Sequence, residues 1–246
     1  MSQMNRNTYQ DDVIVLKTKD WQTVDRMAEG FTREHGRILF IAYGARHMRN
    51  RNSALVQNLT HAHMQLSAGR KFDTLRQCDL LPPLVVDTDI EQLAYASFMT
   101  ELTAEITPER EPNEDIYEVL SASLKAINHR NPRLIALSYA IKLLALCGVG
   151  PSFDTCVCCG VPIEGDVWAS AVQGGCVCAN CKTGAETAFD ENVQVLSQTL
   201  LHLDPLAEGA FTVKGRDMMV LETFLHKFIL MQVEKPLKSL NFLANM

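Results

Sequence analysis

Several signatures of familiar activities are absent from this chain of 246 residues. No Gly-x-Gly-x-x-Gly occurs, which removes the dinucleotide-binding fingerprint. Gly160 and Gly165 have the spacing of a phosphate loop, but Asp166 stands where that loop requires lysine. None of the seven histidines is followed two residues later by glutamate, the pair a zinc deaminase uses upstream of its Cys-x-x-Cys. No ordering of serine, histidine and aspartate points to nucleophilic catalysis, so no catalytic residue and no enzyme activity are expected. The opening MSQMNRNTYQDD has no apolar stretch behind its charges, so no secretory signal is expected. The longest apolar run, Leu134 to Gly150, is broken by Lys142 and falls short of the ~20 residues that span a bilayer. A cytoplasmic protein without a membrane segment is the expectation.

Hydrophobic residues make up 47% of the chain and charged residues 21%, enough apolar material for a buried core and too much for global disorder. The net charge of −6 is unevenly distributed: residues 1–82 carry a net +4 and the remainder a net −10. The whole chain therefore speaks against a nucleic-acid binder, and its N-terminal third speaks mildly for one.

Three textures follow one another. In residues 1–82 short apolar runs alternate with turns: Val13–Leu16, then Arg26–Thr32 with Gly30 as a possible bulge, then Ile38–Tyr43 after a Glu34-His35-Gly36 turn, then the alternating THAHMQLSAG and KFDTLRQCDLL. Five short strands in about 75 residues suit a small β-barrel, with an OB-fold ahead of an SH3-like barrel. Pro82-Pro83 marks the break to residues 83–246, which read as a helical bundle. Apolar spacing predicts a helix from Ile90 through Leu102, and acidic residues of TPEREPNED head a second, Ile116–Ile127. NPRLIALSYAIKLLALCG predicts a third, with Asn131 as N-cap, Pro132 in the first turn and Gly148 near the end; being apolar on nearly every side, it belongs at the centre of the bundle. A loop-rich insertion at about 154–184 follows, then helical stretches near Glu191–Leu203 and Met218–Val233 and a short tail.

The insertion contains six of the eight cysteines. Cys156-x-x-Cys159 and Cys178-x-x-Cys181 have the spacing of a four-cysteine zinc ribbon, and a reducing compartment favours metal over disulfides. Cys158 adjoins Cys159 and Cys176 would make a tighter Cys-x-Cys pair, so both are assigned as surplus. One Zn²⁺ is expected, with iron as the alternative ion. Four thiolates leave a tetrahedral ion no open position, so its role is structural. A thiol oxidoreductase is the competing reading of one pair.

The most prominent cations are Arg46, Arg49 and Arg51 in GARHMRNRN, with Arg33 and Arg37 on the preceding hairpin; Trp21, Phe40 and Tyr43 are close in sequence. OB-folds hold single strands with cationic grooves and stacked aromatics. The plain alternative is a solvated loop above core aromatics. His61 and His63 share one face of a strand and, with no cysteine or carboxylate near them in sequence, read as surface residues.

Taken in order, VIVLKTKDW, FTREHGRILFIAYGAR, LLALCGVGPSFDTCVCCG, GGCVCANC and LKSLNFL cover nearly the whole chain, and the chain they define resembles the bacterial recombinational-repair RecO family. The resemblance implies an N-terminal OB domain and a helical domain carrying the zinc-binding insertion. It further implies binding of single- and double-stranded DNA, annealing of complementary strands, and partnership with RecR and single-stranded-DNA-binding protein to load recombinase RecA on gaps, in association with the nucleoid. Arg33, Arg37, Arg46, Arg49 and Arg51 are the expected phosphate ligands. Lys227, Lys235 and Lys238, the cations near the end, are the candidates for the acidic tail of the single-strand-binding partner. Thr23 departs from the glutamate expected near the second strand, and Tyr43 and His47 replace commonly basic residues, which weakens the cationic loop. The rival from another class is a zinc-stabilised adaptor that binds protein alone.

Overall fold

The computed structural model describes residues 8–47, 55–86, 89–163, 165, 167–209 and 212–243. The first five strands close a barrel in the order β1-β2-β3-β5-β4: β1 Thr8–Trp21, β2 Asp25–Thr32, β3 Gly36–Ala42, β4 His61–Ser67 and β5 Asp73–Leu80. All neighbours are antiparallel except β3 and β5, whose parallel pairing (Phe40 with Asp73, Ile41 with Thr74) makes the closure. This is the five-stranded barrel of an OB-fold.

β1 is long because it serves two partners, pairing through Thr8–Ile14 with β4 and through Val13–Trp21 with β2. Its continuous apolar run has a simple cause: both faces are buried. Val13 and Val15 point into the barrel with Phe40, Met64 and Leu66, whereas Ile14 and Leu16 point outward, with Phe31, into the core of the helical domain. The register slips between Val15 and Lys17, so the bulge lies at Leu16 and not at Gly30. Gly30 is required for space instead: a Cβ there would sit 2.5 Å from Val13 Cγ1.

The helical domain contains α1 Ile90–Ile106, α2 Glu114–Ala126, α3 Pro132–Leu146, α4 Glu191–His202, α5 Gly215–Gln232 and α6 Lys238–Leu243. None of the described helices is long and apolar enough to cross a membrane. The cap of α2 is Asn113, whose side chain accepts from Ile116 N, with Glu114 and Asp115 behind it in the first turn. In α3, Asn131 accepts from Leu134 N and Pro132 opens the helix. Its far end closes by Gly148 N to Ala145 O (3.0 Å) and Val149 N to Leu144 O (2.9 Å), with Gly148 at φ +71°, the left-handed turn glycine favours. α3 is buried along almost its whole length, from Leu134 to Leu144. Replacing Asn131 by Ala orphans one amide and is expected to cost about 1 kcal/mol, a melting shift of about 2–4 °C by calorimetry.

The insertion is more regular than its turn-rich sequence suggests. β6 Val167–Ser170, β7 Gly175–Cys178 and β8 Thr187–Phe189 form a sheet in the order β7-β6-β8. Strands of three or four residues are too short to show a period of two. The sheet rests on the bundle through Val167, Ala169 and Phe189, and Phe189 meets Phe224 of α5 edge-on at 5.3 Å.

Candidate metal centre and nucleic-acid interface

The first knuckle, Cys156–Cys159, lies on the chain entering the sheet, and Cys178 ends β7 just before Cys181. Folding brings the Sγ atoms of Cys156, Cys159, Cys178 and Cys181 within 4.8 Å of one another. Zn–S bonds of about 2.3 Å in a tetrahedron place sulfurs ~3.8 Å apart, and Cys159 and Cys178 stand at 3.8 Å. Gly160 follows at φ +74°. Burial opposes ionisation of Cys156, but backbone N–H groups of Cys178, Cys158 and Cys159 outweigh it and bring the thiol down to about 6. The amide of Cys178 lies 3.4 Å from this sulfur. Cys181, held by side-chain hydrogen bonds with Cys159 and Cys178, is raised instead. Four thiolates this close repel one another unless a cation sits among them, so the donor set fits a thiophilic metal ion.

The two remaining cysteines of the insertion face elsewhere. Cys176 is fully buried on β7, paired with Ala169 of β6, and burial pushes its thiol up to about 12. Cys158 is exposed, its Sγ 3.4 Å from Gln173 Oε1.

The three described arginines of the five, Arg33, Arg37 and Arg46, do not form one cluster. Arg33 and Arg37 lie where the barrel meets the helices. Arg33 pairs with Glu114 at 2.9 Å and Glu118 at 2.5 Å of α2, and stacks 4.8 Å from the Tyr117 ring. Arg37 pairs with Glu29 and donates from Nε to Thr107 O at 2.9 Å. Lys17 bridges Glu29 of the barrel and Glu105 of α1 at 3.3 and 3.0 Å. These cations clasp the two domains together. Arg46 is at the opposite end of β2, roughly 20 Å away at ~3.3 Å per residue, where it reaches Thr23 O and Asp20. Arg49 and Arg51 lie outside the described residues.

The Arg46 end of the barrel gathers residues that are far apart in sequence. Trp21 closes β1 and Phe72 precedes β5, and their rings are 5.9 Å apart. Lys19 lies over Trp21 and Lys71 over Phe72. Tyr43 is 57% exposed there, whereas Phe40 is fully buried in the barrel core and presents no face to a ligand. Phe72 and Lys71 escaped the sequence reading. The available signal was a basic, aromatic turn, SAGRKF, between two predicted strands.

The three C-terminal lysines also separate. Lys235 and Lys238 line a cleft of about 700 Å³ between β1, α1 and α6, with Leu93, Glu101 and Phe242. Lys227 borders a different hollow beside the three-stranded sheet. His61 contacts Pro82 O and Tyr117 OH. His63 does have a carboxylate partner, Asp12 at 2.7 Å, because the register sets the two opposite each other on β4 and β1.

Two family sequence models match the chain end to end: recombination protein O N terminal over residues 4–84 and recombination protein O C terminal over residues 87–241. The chain belongs to the recombination protein O family. Among similar proteins, the DNA repair protein RecO of Symbiobacterium thermophilum is 32% identical over 243 residues, covering 96% of each chain. The DNA repair protein RecO of Pelotomaculum thermopropionicum is 31% identical over 239 residues, 96% of this chain and 93% of its own length. That of Shouchella clausii is 28% identical with the same coverage. Membership of the RecO family places the chain in DNA repair and recombination.

Proposed function

We propose that this chain is a recombination mediator that binds single- and double-stranded DNA, anneals complementary strands and performs no covalent chemistry. The observation that carries this reading is the cationic end of the barrel, where Lys19, Arg46 and Lys71 are exposed around the β1–β2 and β4–β5 turns. Those turns are where OB-folds take oligonucleotides. Phosphates of two strands held there repel each other less, and base pairing drives their union. Arg49 and Arg51, which follow Arg46 in sequence and lie outside the described residues, are retained as phosphate ligands of this proposal. Arg33 and Arg37 join only by exchanging their carboxylate partners for phosphate. Zn²⁺ in the four-cysteine site holds the insertion. RecR, the tail of single-stranded-DNA-binding protein and, through them, recombinase RecA are the partners, and the setting is the bacterial nucleoid.

Counterion release makes the test quantitative. Substituting Ala for Lys19, Arg46 and Lys71 together is expected to weaken binding to single strands and to lower the slope of log affinity against log salt by about 2, at ~0.7 per phosphate contact. Anisotropy titrations at several salt concentrations measure both; an unchanged slope removes this end of the barrel as the phosphate site.

The adaptor reading draws on one observation, the cleft lined by Lys235 and Lys238 together with apolar Leu93 and Phe242. It predicts no DNA binding even at low salt, so the same titration separates the two.

A further inference from the structure

Among the described residues, Trp21 and Phe72 take no part in either hydrophobic core. The barrel interior is filled by Val13, Val15, Ile38, Phe40, Met64 and Leu66, and its outer apolar face by Ile14, Leu16 and Phe31. The two rings stand outside both sets, half-buried, at an angle of 61° to each other. A cover for the mouth of the barrel would account for two apolar rings, but not for the lysine above each. Lys19 Nζ lies 5.9 Å from the Trp21 centroid and Lys71 Nζ 5.5 Å from that of Phe72. These distances are near the ~6 Å limit of cation–π attraction, so the rings hold the lysines weakly.

We propose that Trp21 and Phe72 form a stacking platform for unpaired bases, which makes this end of the barrel a single-strand site. The inference rests on the DNA-binding reading above and adds to it the side chains that tell an unpaired strand from a duplex. A base entering over either ring displaces the lysine toward the phosphate that the same nucleotide brings. Every base offers a π face, so the site is indifferent to sequence. Bases inside a duplex have both faces covered by their neighbours, so a duplex engages only the lysines and Arg46. A strand held by its faces keeps its pairing edges outward, open to a complement. Pairing then withdraws the faces from the rings, so the annealed product is held less tightly than the strands that formed it.

Trp21 and Trp168 are the two tryptophans of the chain, so a Trp168→Phe protein reports on Trp21 alone. Its fluorescence is expected to be quenched by oligothymidylate and to change little with a duplex of equal length. Trp21→Leu and Phe72→Leu retain apolar volume without the aromatic face, and each is expected to lose about five- to hundredfold in single-strand affinity. Duplex affinity should stay within about twofold and the salt slope should not move, while Trp21→Phe restores most of the binding. Thermal melting of the Leu variants checks that the barrel remains folded. Single-strand affinity within twofold in both Leu variants, or equal losses for strand and duplex, overturns the platform. A protein with intact rings that binds neither strand nor duplex at low salt overturns the DNA-binding reading itself, and the platform with it.

Discussion

Cys178→Ser is expected to abolish stoichiometric metal binding and to lower the melting temperature by roughly 10 °C or more. Cys178 supplies one of the four sulfurs clustered within 4.8 Å, and its amide also lies against the sulfur of Cys156. A serine oxygen is a poorer ligand for a thiophilic ion and sits closer to the backbone, so the tetrahedron cannot be restored. The knuckles bury little apolar surface: Cys158, Cys159 and Gly160 are exposed, as are Lys182 to Ala185 after the second pair. A metal ion bound there would oppose the conformational entropy of these turns, so that its binding free energy becomes folding free energy. Zinc-finger peptides that fold only with metal gain about 10–16 kcal/mol. The loss here should be smaller, on the order of 3–5 kcal/mol, because Phe153, Phe189 and Phe224 anchor the sheet independently. At about 2–4 °C per kcal/mol that gives the stated shift. Cys158→Ser is the control, since its exposed thiol faces Gln173, and it should retain both metal and stability. Metal analysis with differential scanning calorimetry decides the matter. Full metal content in Cys178→Ser, or equal losses in both variants, would show that the ligand set is wrong.

What the sequence disclosed and what it concealed divide by the range of the interaction. Asn131, Pro132 and Gly148 delimit α3 through contacts within four or five residues, so they are readable directly. The paired knuckles are readable for the same reason. The VIVL run was legible as a strand, but only the structure shows that both its faces are buried, one of them against the helical domain. Gly30 could be recognised as special in a strand, but its reason is a Val13 methyl on the neighbouring strand. Charge pairing was opaque. Arg33 finds Glu114 and Glu118 more than eighty residues away, and His63 meets Asp12 on the neighbouring strand, some fifty residues earlier. A count of basic residues in the first third cannot reveal that Lys17, Arg33 and Arg37 are engaged by carboxylates at or near the domain boundary. The pairing of Trp21 with Phe72 was hidden likewise, because barrel closure alone brings the β1–β2 and β4–β5 turns together.

Asp73→Ala should be the most damaging single change in the barrel. Its side chain is fully buried and accepts three donors: Tyr9 OH at 2.5 Å, Arg110 Nη2 at 2.8 Å and Gly69 N at 2.9 Å. Burial first, and then the hydrogen bond to Asp73, raise the Tyr9 phenol, which keeps it a neutral donor. Arg110 comes from the loop after α1, and its backbone amide donates to Arg37 O at 2.8 Å. That loop packs so closely on the β2–β3 hairpin that a Cβ on Gly36 would lie 2.0 Å from Glu111 O. One carboxylate thus fixes the start of β1, the turn before β5 and the helical domain's loop. Its removal leaves a phenol and an amide without their acceptor and a guanidinium without its counter-charge. Breaking a buried pair from one side costs about 3–5 kcal/mol, or roughly 10–15 °C here. Asp73→Asn retains an acceptor and should cost about half as much. Arg110→Ala should also cost less, because the Arg110 side chain is 39% exposed and Asp73 keeps its two other donors. A double-mutant cycle should give a coupling above about 1 kcal/mol, scarcely altered between low and high salt because the carboxylate is shielded from counterions. Additive losses, or a coupling that disappears in salt, would mean that the Asp73–Arg110 pair does not tie the helical domain's loop to the barrel.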